Sequence, residues 1–232
     1  MKLELRLATA AVLTVAVLVP FALLSVLVAG GWAPLHDADA AITEALHDWA
    51  QRHPGWTDAT VWWTNIFAPW PLRAAVLVLV VWLWRRSRAT ALWAITTMVA
   101  GGVLGALLKL LIERHRPSFL DPIARAAGFS FPSGHALNAA LGAGIFILVL
   151  LPVVRHRWLL WTGGAIIAVG TAVSRVIIGV HWTSDVLAGL LLGVAVVAAT
   201  AAAFTRRGLL PVVERGVDPA VADPVRAEPR TP

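Results

Sequence analysis

The sequence predicts an all-α protein, a six-transmembrane-helix bundle with an extracytoplasmic interfacial helix and a long polar loop on the same face. Three observations predict it. Of 232 residues, 59% are hydrophobic and only 14% charged, and the mean hydropathy is +0.77, values that a soluble domain of this length does not show. The apolar residues gather in uninterrupted runs, several of them long enough to cross a bilayer as helices. Lys and Arg stand at the ends of those runs, where they set orientation in a membrane. The net charge of +6 therefore reads as topology, and no aromatic-interleaved basic patch points to nucleic acid. Zero cysteines exclude disulfides, thiolate metal sites and cysteine nucleophiles together.

The first run, Leu7 to Val28, carries no charge and is longer than the apolar core of a signal peptide; VLVAGGWAP at its end is a weak cleavage site. Residues 1–34 thus read as an uncleaved anchor. Residues 35–69 are more polar. Within LHDADAAITEALHDWAQRH, Leu35, Ile42, Leu46 and Trp49 share one helical face, with Asp37 or Asp39 as N-cap, which predicts a helix lying in the membrane interface. Trp56, Trp62, Trp63 and Trp70 follow as an aromatic belt.

The core, 70–205, begins with a second span from about Pro71, or slightly earlier, to Trp84, closed by Arg85, Arg86 and Arg88. A third covers about Ala89 to Ile112. Residues 113–134 form a loop that prolines break. The fourth span is about His135 to Val154, closed by Arg155 and Arg157, the fifth about Trp158 to Val180 and the sixth about Trp182 to Phe204. Six spans put both termini on one side. Lys2, Arg6 and the arginines at 85, 86, 88, 155, 157, 206 and 207 share that side, which makes it cytoplasmic. The Pro- and charge-rich tail, 206–232, reads as disordered.

Three clusters then fall at the outer ends of spans: Lys109 with Arg116 and Pro117, Pro132 to His135, and Ser174 to Asp185. Each alone has a structural reading. Lys109 can snorkel, Ser133 can cap a helix, and Arg175 can meet a lipid phosphate. Together they define an active-site loop and its surroundings. Lys109, Arg116 and Arg175 give three cations against Asp185, so the site suits an anion of more than one charge, a phosphate. Ser133 and Gly134 open the fourth helix, where free amides favour such an anion. Gly179 can end the fifth helix in a left-handed turn that brings Arg175 and His181 to one surface. Asp185, four residues after His181, can orient its imidazole, which marks His181 as the nucleophile and leaves His135 to protonate the leaving oxygen and then activate water. Glu113 and Asp121 are too few carboxylates for a two-metal phosphatase, so no metal or other cofactor is expected.

These residues resemble the signature of the type-2 phosphatidic acid phosphatases, a superfamily shared with vanadium haloperoxidases and glucose-6-phosphatase. Its three parts match Lys109 to Pro117, Pro132 to His135 and Ser174 to Asp185 without departure. The resemblance covers about residues 70–205, and the N-terminal span and interfacial helix look like those of small bacterial members. It implies a metal-independent, six-span lipid phosphatase acting through a phosphohistidine on the third-motif histidine. The expected partners are the bilayer and a phospholipid or polyprenyl phosphate substrate, with no nucleic acid. A phosphotransferase on the same scaffold and a non-enzymatic anion carrier are the alternatives; against the carrier, the charges gather at one face and no span is expected to be charged through its middle.

Overall fold

The computed structural model describes residues 2–206, so the expected tail beyond Arg206 lies outside the described residues. The chain is all-helical there. Its helices are α1 (Lys2–Ala29), α2 (Ala33–Arg52), α3 (Pro54–Ile66), α4 (Pro69–Trp84), α5 (Arg88–Ile112), α6 (Gly134–Leu150), α7 (Arg157–Ile177) and α8 (Thr183–Arg206). By length and composition α5, α7, α8 and the stretch Pro54–Trp84 are each fit to cross a membrane. Residues Val15–Ala29 of α1 qualify together with α2 as a pair bent by 95°, and α6 is apolar but has 17 residues. This is a multi-pass membrane protein.

Two expectations change. The second span was expected from about Pro71 or slightly earlier, and α4 starts at Pro69, but the helical stretch reaches further back to Pro54 with a short break at Phe67 and Ala68. Pro54 and Pro69 stand at helix starts, where a missing N–H costs nothing, so they begin helices rather than interrupt one. Trp56, Trp62 and Trp70 of this stretch are exposed, whereas Trp63 packs on α7, where a Cβ at Gly170 would come within 2.9 Å of its ring.

The second change concerns α2. Its cap is Trp32 with Pro at the helix start, which leaves Asp37 and Asp39 inside the helix. The side it buries is Asp39, Thr43, His47 and Ala50, while Ile42 is exposed. Helix α2 buries this polar side because it packs against a polar loop and the ends of α7 and α8, whose exposed backbone and charges need polar partners, while Leu46 of the apolar face packs against a core cluster.

The core unites α4, α5, α6 and α8, with Leu79, Trp93, Leu141, Ile145 and Val196 among its buried members. Close approach comes from small residues, as expected where lipid leaves packing to drive helix association. A Cβ at Gly101 or Gly105 of α5 would collide with Leu141 or Leu137 of α6 at 2.4 and 2.6 Å. At Gly189 of α8 it would lie 2.6 Å from the Ser133 carbonyl. That second contact presses the start of α8 against the start of α6. The loop 113–133 covers this end of the bundle, and Arg85, Arg86, Arg88, Arg155 and Arg157 mark the other.

Candidate active site

Helix α7 ends at Ile177, and Gly179, at φ +72°, reverses the chain where only glycine fits: a Cβ would meet Phe119 at 2.8 Å and the His47 ring at 3.0 Å. His181 follows, buried, two residues before α8 begins. Asp185 lies in the first turn of α8. One carboxylate oxygen accepts the Trp182 backbone N–H at 3.0 Å and faces His181 Nδ1 at 3.3 Å. Asp185 thus closes the helix start and holds the imidazole with one group.

The other ring nitrogen, Nε2, receives a hydrogen bond from Arg116 Nη1 at 3.0 Å. An arginine only donates, so Nε2 carries the lone pair and Nδ1 the proton given to Asp185. Burial, the leading cause, lowers the His181 pKa to about 4; Asp185 opposes it by hydrogen bond and charge, and Arg116 and Arg175 reinforce it. The imidazole is neutral near pH 7, with its lone pair directed at a cation.

Arg116 also donates to the carbonyls of Val180 (2.7 Å), Gly128 (2.9 Å), Ala127 and Phe129 (both 3.2 Å). Lys109 Nζ shares the Phe129 carbonyl at 2.7 Å. Both first-motif cations therefore hold the loop as well as the site. Arg175 is buried, donates to Thr64 of α3 at 3.1 Å, and keeps its Nε without a partner.

The second motif is less tied. The Ser133 amide donates to the Asp185 backbone carbonyl at 3.0 Å, joining the starts of α6 and α8, but the Ser133 hydroxyl is buried without a partner. It makes no side-chain cap to α6, contrary to its structural reading. A buried hydroxyl at a helix start, beside the Gly134 end of α6, suits an anion. His135 lies within the electrostatic reach of Arg175, His181, Arg116 and Lys109, so the eight sequence-predicted site residues converge. Among the described residues no group of three or more His, Asp or Glu is placed to hold a metal ion.

Two residues escaped the sequence reading as site components. Arg114 donates from Nη1 to Asp185 at 2.7 Å and to the Ser184 hydroxyl at 2.7 Å, and from Nη2 to Asp39 of α2 at 2.8 Å. Asp39 in turn accepts the Ser184 amide at 2.8 Å and the Ser184 hydroxyl. Arg114 and Asp39 thus form an ion-paired bridge from α2 to the acid that orients His181. A second tie runs from His47 (3.1 Å) and Gln51 (2.8 Å) of α2 to the Asp121 carbonyl in the loop. Cavities of about 400 and 310 Å³ flank Arg116, the larger between Trp32, His36, Arg114 and Trp182; neither is lined by His135 or His181.

A cationic cradle at one end of an apolar helical bundle, with a carboxylate-oriented histidine, is an arrangement suited to an anion. Residues 90–209 match the PAP2 superfamily, and the chain belongs to that superfamily. It is 41% identical over 95 residues to phosphatidylglycerophosphatase B of Bacillus subtilis, covering 39% of this chain and 46% of that protein. It is 35% identical over 128 residues to undecaprenyl-diphosphatase of Sulfolobus acidocaldarius, covering 53% and 57%. The chain thus spans about half the length of the curated relatives it matches. The crystal structure of a transmembrane PAP2-type phosphatidylglycerolphosphate phosphatase from Bacillus subtilis superposes with a TM-score of 0.75 at 27% identity, over 84% of this chain and 96% of that one.

Proposed function

We propose that this chain is an integral membrane lipid phosphatase acting on a phosphate monoester or diphosphate lipid, of the phosphatidic acid, phosphatidylglycerol phosphate or polyprenyl diphosphate class. The observation that carries this is the unprotonated Nε2 of His181, held by Asp185 behind and capped by Arg116 in front. Membership of the PAP2 superfamily supports it.

A phosphoryl group entering between Arg116, Lys109, Arg175, the Ser133 hydroxyl and the Gly134 amide offers its oxygens to those donors. Once a phosphate oxygen takes the Arg116 Nη1 hydrogen bond, the His181 lone pair is free. Nε2 attacks phosphorus, the bond from phosphorus to the leaving oxygen breaks, and His135 gives that oxygen a proton. Asp185 keeps the Nδ1 proton and stabilises the positive charge that develops on the ring. His135, now neutral, takes a proton from water; the hydroxide attacks phosphorus, the P–N bond breaks, and phosphate leaves. The cations stabilise the equatorial oxygens in both steps.

In the bilayer, α1, the α3–α4 stretch, α5, α6, α7 and α8 supply six spans, and α2 lies across one end. The arginine-rich end is cytoplasmic with both termini, and the site is extracytoplasmic. Labelling of Arg86→Cys from inside and Arg125→Cys from outside, each in the cysteine-free chain, tests this; the reverse pattern overturns it. The activity is tested with purified protein in detergent and a panel of the three lipid classes. Inorganic phosphate and an acid-labile, labelled protein intermediate are expected. Label passed to a second lipid would make the chain a phosphotransferase, and no turnover of any lipid phosphate would overturn the reading.

A further inference from the structure

Arg73 stands in the second turn of α4, inside the stretch Pro54–Trp84, so the expectation that no span is charged through its middle does not hold, and it is exposed on the protein surface. An ionised group at such a depth is costly and calls for a partner. Its Nε donates to Asn138 Oδ1 of α6 at 2.9 Å, and Asn138, buried, donates to the Gly134 carbonyl at 2.8 Å. The guanidinium also stands over Trp70, and its Nη2 passes 4.0 Å from where a Cβ would sit on Gly102 of α5. The two Nη groups have no protein acceptor among the hydrogen bonds of the described residues.

Helical periodicity places this group relative to the chemistry. His135 and Asn138 are three residues apart on one face of α6, about 4.5 Å along the axis. Lys109 and Gly102 are seven residues apart on one face of α5, about 10 Å along the axis. Arg73 touches the lower member of each pair. It therefore sits in the groove between α5 and α6, on the membrane side of Lys109 and His135. The polar stripe Lys109, His135, Asn138, Arg73 leads from the cradle toward the hydrocarbon. Since His135 protonates the leaving oxygen, this is the side on which the leaving group extends.

We propose that Arg73, fixed by Asn138, is a second phosphate site that selects lipids carrying another phosphate between the scissile phosphoryl group and the tail. The inference rests on the phosphatase reading above. The ligand chemistry is the inner phosphate of a polyprenyl diphosphate or the phosphodiester of phosphatidylglycerol phosphate; phosphatidic acid has neither. A fixed guanidinium with two free Nη groups gives paired donors to one phosphate, and binding the anion there also relieves an unpaired charge inside the membrane.

The test measures kcat/KM of wild-type, Arg73→Met and Arg73→Lys proteins on polyprenyl diphosphate, phosphatidylglycerol phosphate and phosphatidic acid in one detergent. Arg73→Met is expected to lose roughly tenfold to a hundredfold on at least one two-phosphate lipid, the usual worth of a charged hydrogen bond, and less than about threefold on phosphatidic acid. The substrate with the larger loss identifies the inner phosphate or the phosphodiester as the ligand. Should Arg73→Met fail to fold, Arg73→Lys decides, with a smaller fall in the same ratio because paired donation is lost. A parallel loss on all three lipids, or no change in the ratio, overturns the proposal and leaves Arg73 a packing residue. A wild-type protein inert on all three overturns the phosphatase reading itself.

Discussion

The turn that carries His181 and the helix start that carries His135 are joined by one backbone hydrogen bond, yet they are built differently. Around His181 both ring nitrogens are engaged, Asp185 is held by Arg114 and the Trp182 amide, and Gly179 fixes the turn. At the start of α6 the Ser133 hydroxyl has no partner, and His135 makes no hydrogen bond within the described residues. On the proposed mechanism the difference separates two tasks. A nucleophile gains from being held in one tautomer and one orientation before substrate arrives, whereas an anion cradle and a proton donor must keep their groups free for a ligand.

The sharpest way to break this comparison is to remove the held group. His181→Ala should abolish the trapped phosphoenzyme and lower turnover on the order of 10⁴-fold or more, since no other side chain is placed to attack. Label that persists in that variant, or maps to His135, reverses the two roles. His135→Ala should cost about 10² to 10⁴ in kcat on alkyl phosphates, the usual worth of a positioned proton donor. It should cost much less on an aryl phosphate, whose leaving oxygen departs without a proton. Equal losses on both would show that His135 is structural. Asp185→Asn should lower kcat about a hundredfold or more while KM changes little, because the amide can favour the wrong tautomer and no longer stabilises the imidazolium. A loss confined to KM would place Asp185 in binding instead.

The same contrast decides what the sequence could reveal. That the candidate residues would come together was legible because most of them stand at a run end beside a helix start or a glycine, so local spacing alone brings His181 to Asp185 and places Ser133 at the start of α6. Most spans were legible from apolar run length. That helix continues back to Pro54 before the second span was not, since the tryptophans of residues 56–70 read as an aromatic belt and not as part of a helix. The packing face of α2 was not legible either. Its polar stripe is satisfied by partners more than 70 positions away, such as Arg114 and the Asp121 carbonyl, and hydrophobic periodicity is silent about polar partners. Arg114 lay inside the first motif stretch, but nothing local distinguishes it from a head-group arginine.

The bridge from α2 yields the smallest and most discriminating expectation. Arg114 places a cation 2.7 Å from Asp185 on the carboxylate oxygen that does not face His181. On the proposed mechanism His181 attacks only as the neutral ring, so the acid limb of kcat/KM should follow its pKa, which burial lowers to about 4. Removing a neighbouring cation favours the protonated imidazole. Arg114→Met should therefore raise the His181 pKa by roughly one unit and move the acid limb to higher pH by that amount, with only a severalfold loss near pH 7. Arg114→Lys keeps the charge and should restore the limb even if turnover stays low. Asp39→Asn bears on the same limb from the opposite side. It removes the anion that holds Nη2 of Arg114, but it leaves the cation beside Asp185, so the limb should stay within a few tenths of a unit of wild type while kcat falls. If Arg114→Met lowers activity with no movement of the limb, the bridge merely fastens α2 to the bundle, and the imidazole is tuned by burial, Asp185, Arg116 and Arg175 alone.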